Sequence, residues 1–112
     1  MALWLTTRHS GETVQIDVRG EIDLINAYQL REEVNNVLSQ SAPTDIVLDL
    51  WHVTFVDSVG IGALVACHQR ASVGGVRLTV ARPNEFVHRH LWIAGLLGLF
   101  GFPEAQPAPA MD

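Results

Sequence analysis

A chain of 112 residues, 48% hydrophobic and 17% charged, has the size and composition of one small globular domain able to bury a working core. Twelve acidic against seven basic residues give a net charge of −5, which excludes a surface built for the phosphate backbone of nucleic acid. The longest apolar stretch, Leu91 to Phe102, runs twelve residues with three glycines, short of the roughly 20 that cross a bilayer, so no membrane insertion is expected.

All basic residues are arginine, for which coding bias in a GC-rich genome is a sufficient explanation. The single cysteine, Cys67, cannot form an internal disulfide, and the first ten residues lack the basic-then-apolar order of a signal peptide. Both features lead to the expectation of a soluble cytoplasmic domain.

Leu3-Trp4-Leu5 and Thr13 to Arg19 read as strands. In the second, Val14, Ile16 and Val18 alternate with Gln15, Asp17 and Arg19, the period of a sheet with one covered face. His9-Ser10-Gly11-Glu12 between them has the residues of a tight turn, so the two form a hairpin. Gly20 to Leu24 is then expected to be a loop.

Asn26 with Gln29 forms a capping pair that opens a helix, with Ala27, Leu30, Val34, Val37 and Leu38 on one face. Ser41-Ala42-Pro43 ends it. Ile46 to Leu50 is a nearly continuous apolar run, expected of a central strand, and Trp51 to Asp57 follows as a loop. A second helix starts at Ser58, with Ile61, Leu64, Val65 and His68 on a shared face and Gly74-Gly75 as its stop.

Val76, Leu78 and Val80 make a further strand. Pro83-Asn84 caps a third helix carrying Val87, Leu91 and Ala94, closed by Gly95. Leu96, Leu99 and Phe100 are expected to pack beneath the sheet and finish the core. Trp4, Trp51 and Trp92 are assigned to the core, where an exposed one would instead mark a partner surface. Residues 1–102 are thus one domain, and 103–112, with three prolines, a disordered tail rich in proline and alanine. The order strand, strand, helix, strand, helix, strand, helix predicts an α/β fold: a mixed, mostly parallel sheet with an N-terminal antiparallel strand.

Functional loops in such sheets gather at the carboxyl ends of the strands. If the second and third strands are neighbours, Asp23, Asp57 and Ser58 meet on one rim. Ser58 has two readings. It is an N-cap whose hydroxyl accepts an amide hydrogen bond, or a serine exposed at a helix N-terminus where a phosphoryl group would be accommodated. Gly60 and Gly62 are expected to serve close packing of helix on sheet rather than to cradle a phosphate.

Other chemistries find little support. Neither a third fingerprint glycine nor the lysine of a phosphate-binding loop is present. Val56-Asp57-Ser58-Val59-Gly60 is not a hydrolase elbow, and the pairs Cys67-His68 and His88/His90 lack chelate spacing. No catalytic activity, cofactor or metal is expected.

Several segments, in order along the chain, resemble one family. Gly20-Glu21-Ile22-Asp23-Leu24-Ile25-Asn26-Ala27 is similar to the G-x-[IL]-D-x-x-x-[AT] segment of STAS domains, the fold of bacterial anti-sigma factor antagonists. Ile46 to Leu50 looks like their central strand. Phe55-Val56-Asp57-Ser58-Val59-Gly60-Ile61-Gly62-Ala63-Leu64 resembles their string F-[IVM]-D-S-[ST]-G-[LI]-[GA]-x-L, and Ala94 to Phe100 resembles T-G-L-x-x-[LV]-F. The similarity covers about residues 10 to 102.

The resemblance implies a protein-binding switch. The unmodified antagonist binds an anti-sigma factor, often itself a serine kinase, and so frees a sigma factor for transcription. The kinase phosphorylates the serine, here Ser58, which abolishes binding, and a serine phosphatase restores it. Asp23, Asp57, Ser58, Val59 and Gly60 are the partner-binding positions so implied.

Two features depart from the family. Val59 replaces the usual second hydroxyl residue, and the proline-alanine tail stands where members commonly add a further helix. The alternative function is a STAS-like scaffold or accessory subunit of a signalling or transport complex that is never phosphorylated. Self-association as a homodimer through the hairpin edge is left open.

Overall fold

The alternation of Val14, Ile16 and Val18 does cover one face of a sheet: all three are buried, while Gln15 and Asp17 lie half-buried on the other side. The computed structural model describes residues 2–101; the expected tail at 103–112 lies outside them. In chain order the elements are β1 (Leu3–Ser10), β2 (Thr13–Ile22), α1 (Ala27–Gln40), β3 (Asp45–Val56), α2 (Ser58–Val73), β4 (Arg77–Ala81) and α3 (Glu85–Ile93). The four strands form one sheet in the order β1-β2-β3-β4. β1 runs antiparallel to β2, whereas the β2–β3 and β3–β4 pairs are parallel, giving the mixed α/β sheet expected from the sequence.

The crossover helices α1 and α2 pack against each other, so they lie on the same side of the sheet. Ala27, Leu30, Val34 and Val37 of α1 meet Ile16, Ile46, Leu48 and Leu78 in one continuous core that also takes in Val87 and Leu91 of α3. Thr7 adds a polar tie by donating from its hydroxyl to the Glu33 carboxylate of α1.

Both strands that carry the rim are longer than their sequence pattern indicates. Gly20 to Ile22 belongs to β2 rather than to a loop, and Trp51 to Val56 continues β3. The reason is two register shifts in the β2–β3 pair. Asp17 faces Asp49 but Arg19 faces His52, and Gly20 faces Val53 but Glu21 faces Phe55. β3 therefore carries two extra residues, which are β-bulges. Across them the buried residues Leu50, Val53 and Val56 fall three apart instead of two, and strand periodicity disappears. Gly20 sits at φ +103° with Ala2 against it; a Cβ there would lie 2.3 Å from the Ala2 carbonyl oxygen.

Asp49 supports the first bulge. Its Oδ1 accepts the Trp51 amide at 3.0 Å, and its Oδ2 accepts from Arg82 Nε at 3.0 Å and Nη2 at 2.7 Å. Arg82 adopts a left-handed backbone (φ +50°), and its guanidinium stacks 5.7 Å from the Trp51 ring centroid. Burial pushes the Asp49 carboxyl up, but the Arg82 and Trp51 hydrogen bonds and the Arg82 charge outweigh it and hold it below its ordinary value.

The helix faces need three corrections. Asn26 precedes α1 without capping it through its side chain, so the expected Asn26–Gln29 pair does not form. The buried face of α2 is Gly60, Ala63, Leu64, Cys67 and Ala71, whereas Ile61, Val65 and His68 sit at its half-buried margin. After α3, Leu97 and Phe100 are buried, and Leu99 is exposed. Phe100 takes its place because its carbonyl accepts the Val80 amide, which brings the segment alongside β4. Trp4 and Trp51 are exposed and Trp92 is half-buried, so none of the three is a fully buried core residue.

Candidate functional site

The carboxyl ends of β2 and β3 are adjacent, and the loops leaving them meet. After β2 the chain turns tightly around Asp23 and Asn26. Asn26 Nδ2 donates to the Glu21 carbonyl at 2.9 Å, and its Oδ1 accepts the Asp23 amide at 2.9 Å. Asp23 Oδ1 in turn accepts the amides of Ile25 at 3.0 Å and Asn26 at 3.2 Å. This reciprocal brace absorbs the polar groups of the turn and leaves its two apolar side chains outside. Leu24 is 69% exposed and Ile25 75%, whereas Asp23 is only 7% exposed.

After β3, Asp57 is the N-cap of α2. Its Oδ1 accepts the Gly60 amide at 2.7 Å, and its Oδ2 accepts the Leu24 amide at 3.0 Å. The capping role expected of Ser58 thus falls one residue earlier. Ser58 is the first residue of the helix and is exposed, with Val59 exposed beside it. An acceptor at the cap position satisfies an otherwise unpaired amide of the first turn, and a carboxylate there also suits the helix dipole.

The two glycines of the first turns have different reasons. A Cβ on Gly60 would lie 2.4 Å from the Ile22 carbonyl oxygen and 2.7 Å from Val56 Cγ2, so close packing of α2 on β2 and β3 demands glycine there. Gly62 is exposed and a Cβ on it would meet nothing within 4 Å. The packing expected of Gly62 is therefore not found.

The third wall of the rim is α3. Asn84 Oδ1 accepts the Val87 amide at 2.9 Å, capping α3 as expected, and Asn84 Nδ2 donates to the Val53 carbonyl of the bulged strand. This anchor sets α3 beside Ser58. Between them lies an open groove of about 530 Å³, lined by Phe55, Asp57, Ser58, Ile61, His90 and Ile93 among others. Phe55 and Phe86 stack at its edge with centroids 6.2 Å apart, and Ile93 is 69% exposed.

The structure therefore brings Asp23, Asp57, Ser58, Val59 and Gly60 to one rim. Ser58 and Val59 are presented to solvent, while Asp23, Asp57 and Gly60 shape the surface from within. Leu24, Ile25, Phe86, His90 and Ile93 complete the surface and were not among the expected partner-binding positions; His90 was weighed only as a metal ligand. The adjacent apolar pair Leu24-Ile25 in a polar turn was the one local signal. Among the described residues, no helix is long and apolar enough to cross a membrane.

A family model described as the STAS domain matches residues 5–107. The anti-sigma-F factor antagonist RsfB of Mycobacterium tuberculosis is 34% identical over 88 residues, covering 79% of this chain and 70% of that protein. The solved structure of an anti-sigma factor antagonist from Mycobacterium paratuberculosis aligns with a TM-score of 0.76 at 24% identity, covering 96% of this chain and 91% of that one. The Bacillus cell fate determinant SpoIIAA, solved in its phosphorylated form, aligns with a TM-score of 0.68 at 25% identity over 99% of this chain and 97% of that one. With the rim motif, the sheet order and these similarities in agreement, the chain belongs to the STAS-domain family of anti-sigma factor antagonists.

Proposed function

We propose that this protein is a switch that acts by docking. Its unmodified rim binds an anti-sigma factor and so releases a sigma factor; phosphorylation of Ser58 by a serine kinase ends the docking, and a serine phosphatase restores it. The observation that carries this reading is the position of Ser58. It stands exposed at the start of α2, and the helix is capped by Asp57 instead, so a group added to the Ser58 hydroxyl displaces no hydrogen bond of the fold. Support also comes from the similarity to RsfB, an anti-sigma-F factor antagonist, and to SpoIIAA, a protein solved with its phosphate in place.

The rim is suited to such a role. Leu24, Ile25, Val59 and Ile93 are exposed apolar side chains on the elements that meet at the rim with Ser58, the composition of an interface core. A phosphoserine would bring about −1.5 to −2 charges into that surface. An unpaired charge in an interface costs roughly 2–5 kcal/mol, which is a loss of about 30-fold or more in affinity.

The test uses Ser58→Ala and Ser58→Glu chains as paired baits in a lysate of the source organism, with captured proteins identified by mass spectrometry. An anti-sigma factor held by the alanine bait and lost from the glutamate bait is the expected result. Equal capture of a scaffold or transport protein by both baits would overturn the switch and favour an accessory subunit that is not phosphorylated.

A further inference from the structure

His90 lines the groove beside Ser58, and the docking switch makes no use of it. Its ring packs on Phe86 with centroids 4.3 Å apart, and its Nδ1 lies 3.0 Å from the Phe86 carbonyl oxygen. A carbonyl can only accept, so Nδ1 carries the proton and donates it. Nε2 is then the ring nitrogen at which a second proton turns the imidazole into a cation.

The rest of the lining is one-sided. β3 contributes Phe55 and Val56, the β3–α2 junction contributes Asp57, α2 contributes Ser58 and Ile61, and α3 adds Ile93 and Ala94. His90 is the one side chain in this lining, among the described residues, that can carry positive charge. Asp57 is its one acid, and both Asp57 oxygens are already engaged by the Leu24 and Gly60 amides. Glu85, His88 and Arg89, the other ionisable residues of α3, are not part of the lining.

We infer that His90 is the internal partner of the phosphorylated side chain at position 58: the imidazolium Nε2–H donates to a phosphoryl oxygen across the groove. The inference rests on the phosphorylation reading above and specifies where the added group goes. The ring takes its second proton from solvent, and no covalent bond changes. A phosphoserine is mostly a dianion at neutral pH, and a cation held against it favours the charged form of each partner. The phosphate is thereby drawn over the groove and blocks apolar surface as well as adding charge.

Phosphoserine installed at position 58 of the full chain during translation makes the test independent of any kinase. The ³¹P titration midpoint is expected to lie lower, by roughly 1 pH unit, in the chain with His90 than in the His90→Gln chain, because a neighbouring cation favours the dianion. His90→Arg should keep the midpoint low, since it restores a cation. Equal midpoints in the His90 and His90→Gln chains would overturn the pairing. Capture of the anti-sigma factor by the same phosphorylated chains is scored separately. Persisting capture counts against the switch, whereas lost capture with equal midpoints leaves the switch standing and removes His90 from it.

Discussion

Asp57 and Leu24 are joined across the rim: the Leu24 amide donates to Asp57 Oδ2 at 3.0 Å while Asp57 Oδ1 holds the Gly60 amide at 2.7 Å. One carboxylate thus links the turn that exposes Leu24 and Ile25 to the first turn of the helix that exposes Ser58. Asp57→Ala should remove about 1–2 kcal/mol of stability in urea denaturation, the combined loss of a helix cap and a partly exposed tie. Asp57→Asn, which keeps one acceptor, should lose less. Unchanged unfolding of the alanine variant would show that the linkage contributes nothing to the fold.

Gly60 and Gly62, two residues apart, should respond in opposite directions to the same substitution. Gly60→Ala drives a methyl group into the Ile22 carbonyl and Val56, backbone and packed core on two sides, and overpacking of this kind costs about 1–3 kcal/mol. Gly62→Ala meets open space on an exposed helix face and should gain up to about 1 kcal/mol from helix propensity. Thermal melts of the two variants check this. A stabilised Gly60→Ala protein would contradict the close approach of α2 to β2.

The Asp49–Arg82 pair carries a pH dependence of defined sign. The Asp49 carboxyl is held below 3.8 in the folded chain, so its contribution is complete above 3.8 and disappears as the pH falls through the lowered folded value. Asp49→Asn should be less stable than the parent by about 1 kcal/mol at neutral pH, from weaker bonds to Arg82 and to the Trp51 amide. The two proteins should converge in acid. A gap between their denaturation midpoints that stays constant from neutral pH into acid would exclude this linkage.

Cys67 is buried on the packed face of α2, and burial pushes its thiol up to about 12, against a smaller opposing pull from the Arg31 charge. Thiolate is the reactive form, so Cys67 should be inert to a disulfide reagent at neutral pH in the folded chain. It should react fully once denaturant is added. Rapid labelling of the native protein would require α2 to lift from the sheet, and absorbance of the released thiol reports it directly.

Much of the architecture was legible in the chain itself. The alternation at Val14, Ile16 and Val18 and the helical spacing of Ala27, Leu30, Val34 and Val37 each encode one covered face, a property of local periodicity alone. The string from Phe55 to Leu64 marked the rim and carried the family resemblance. The far half of β3 was illegible because its period is set by its partner. Two bulges against β2 place Leu50, Val53 and Val56 three apart, which hides the period of two by which a strand is read.

The sequence by itself determined the order of elements, the mixed, mostly parallel sheet and the presence of an acid and a serine where β3 passes into α2. Tertiary structure decided which of the two caps that helix, because Asp57 also answers the Leu24 amide from a loop 33 residues away. It likewise decided that His90 shares a groove with Ser58, since Asn84 anchors α3 to a carbonyl of β3 that lies 31 residues earlier. Periodicity along a chain reports which side of an element is covered. Which loops and helices meet at a rim depends on the register between strands and on hydrogen bonds between distant residues.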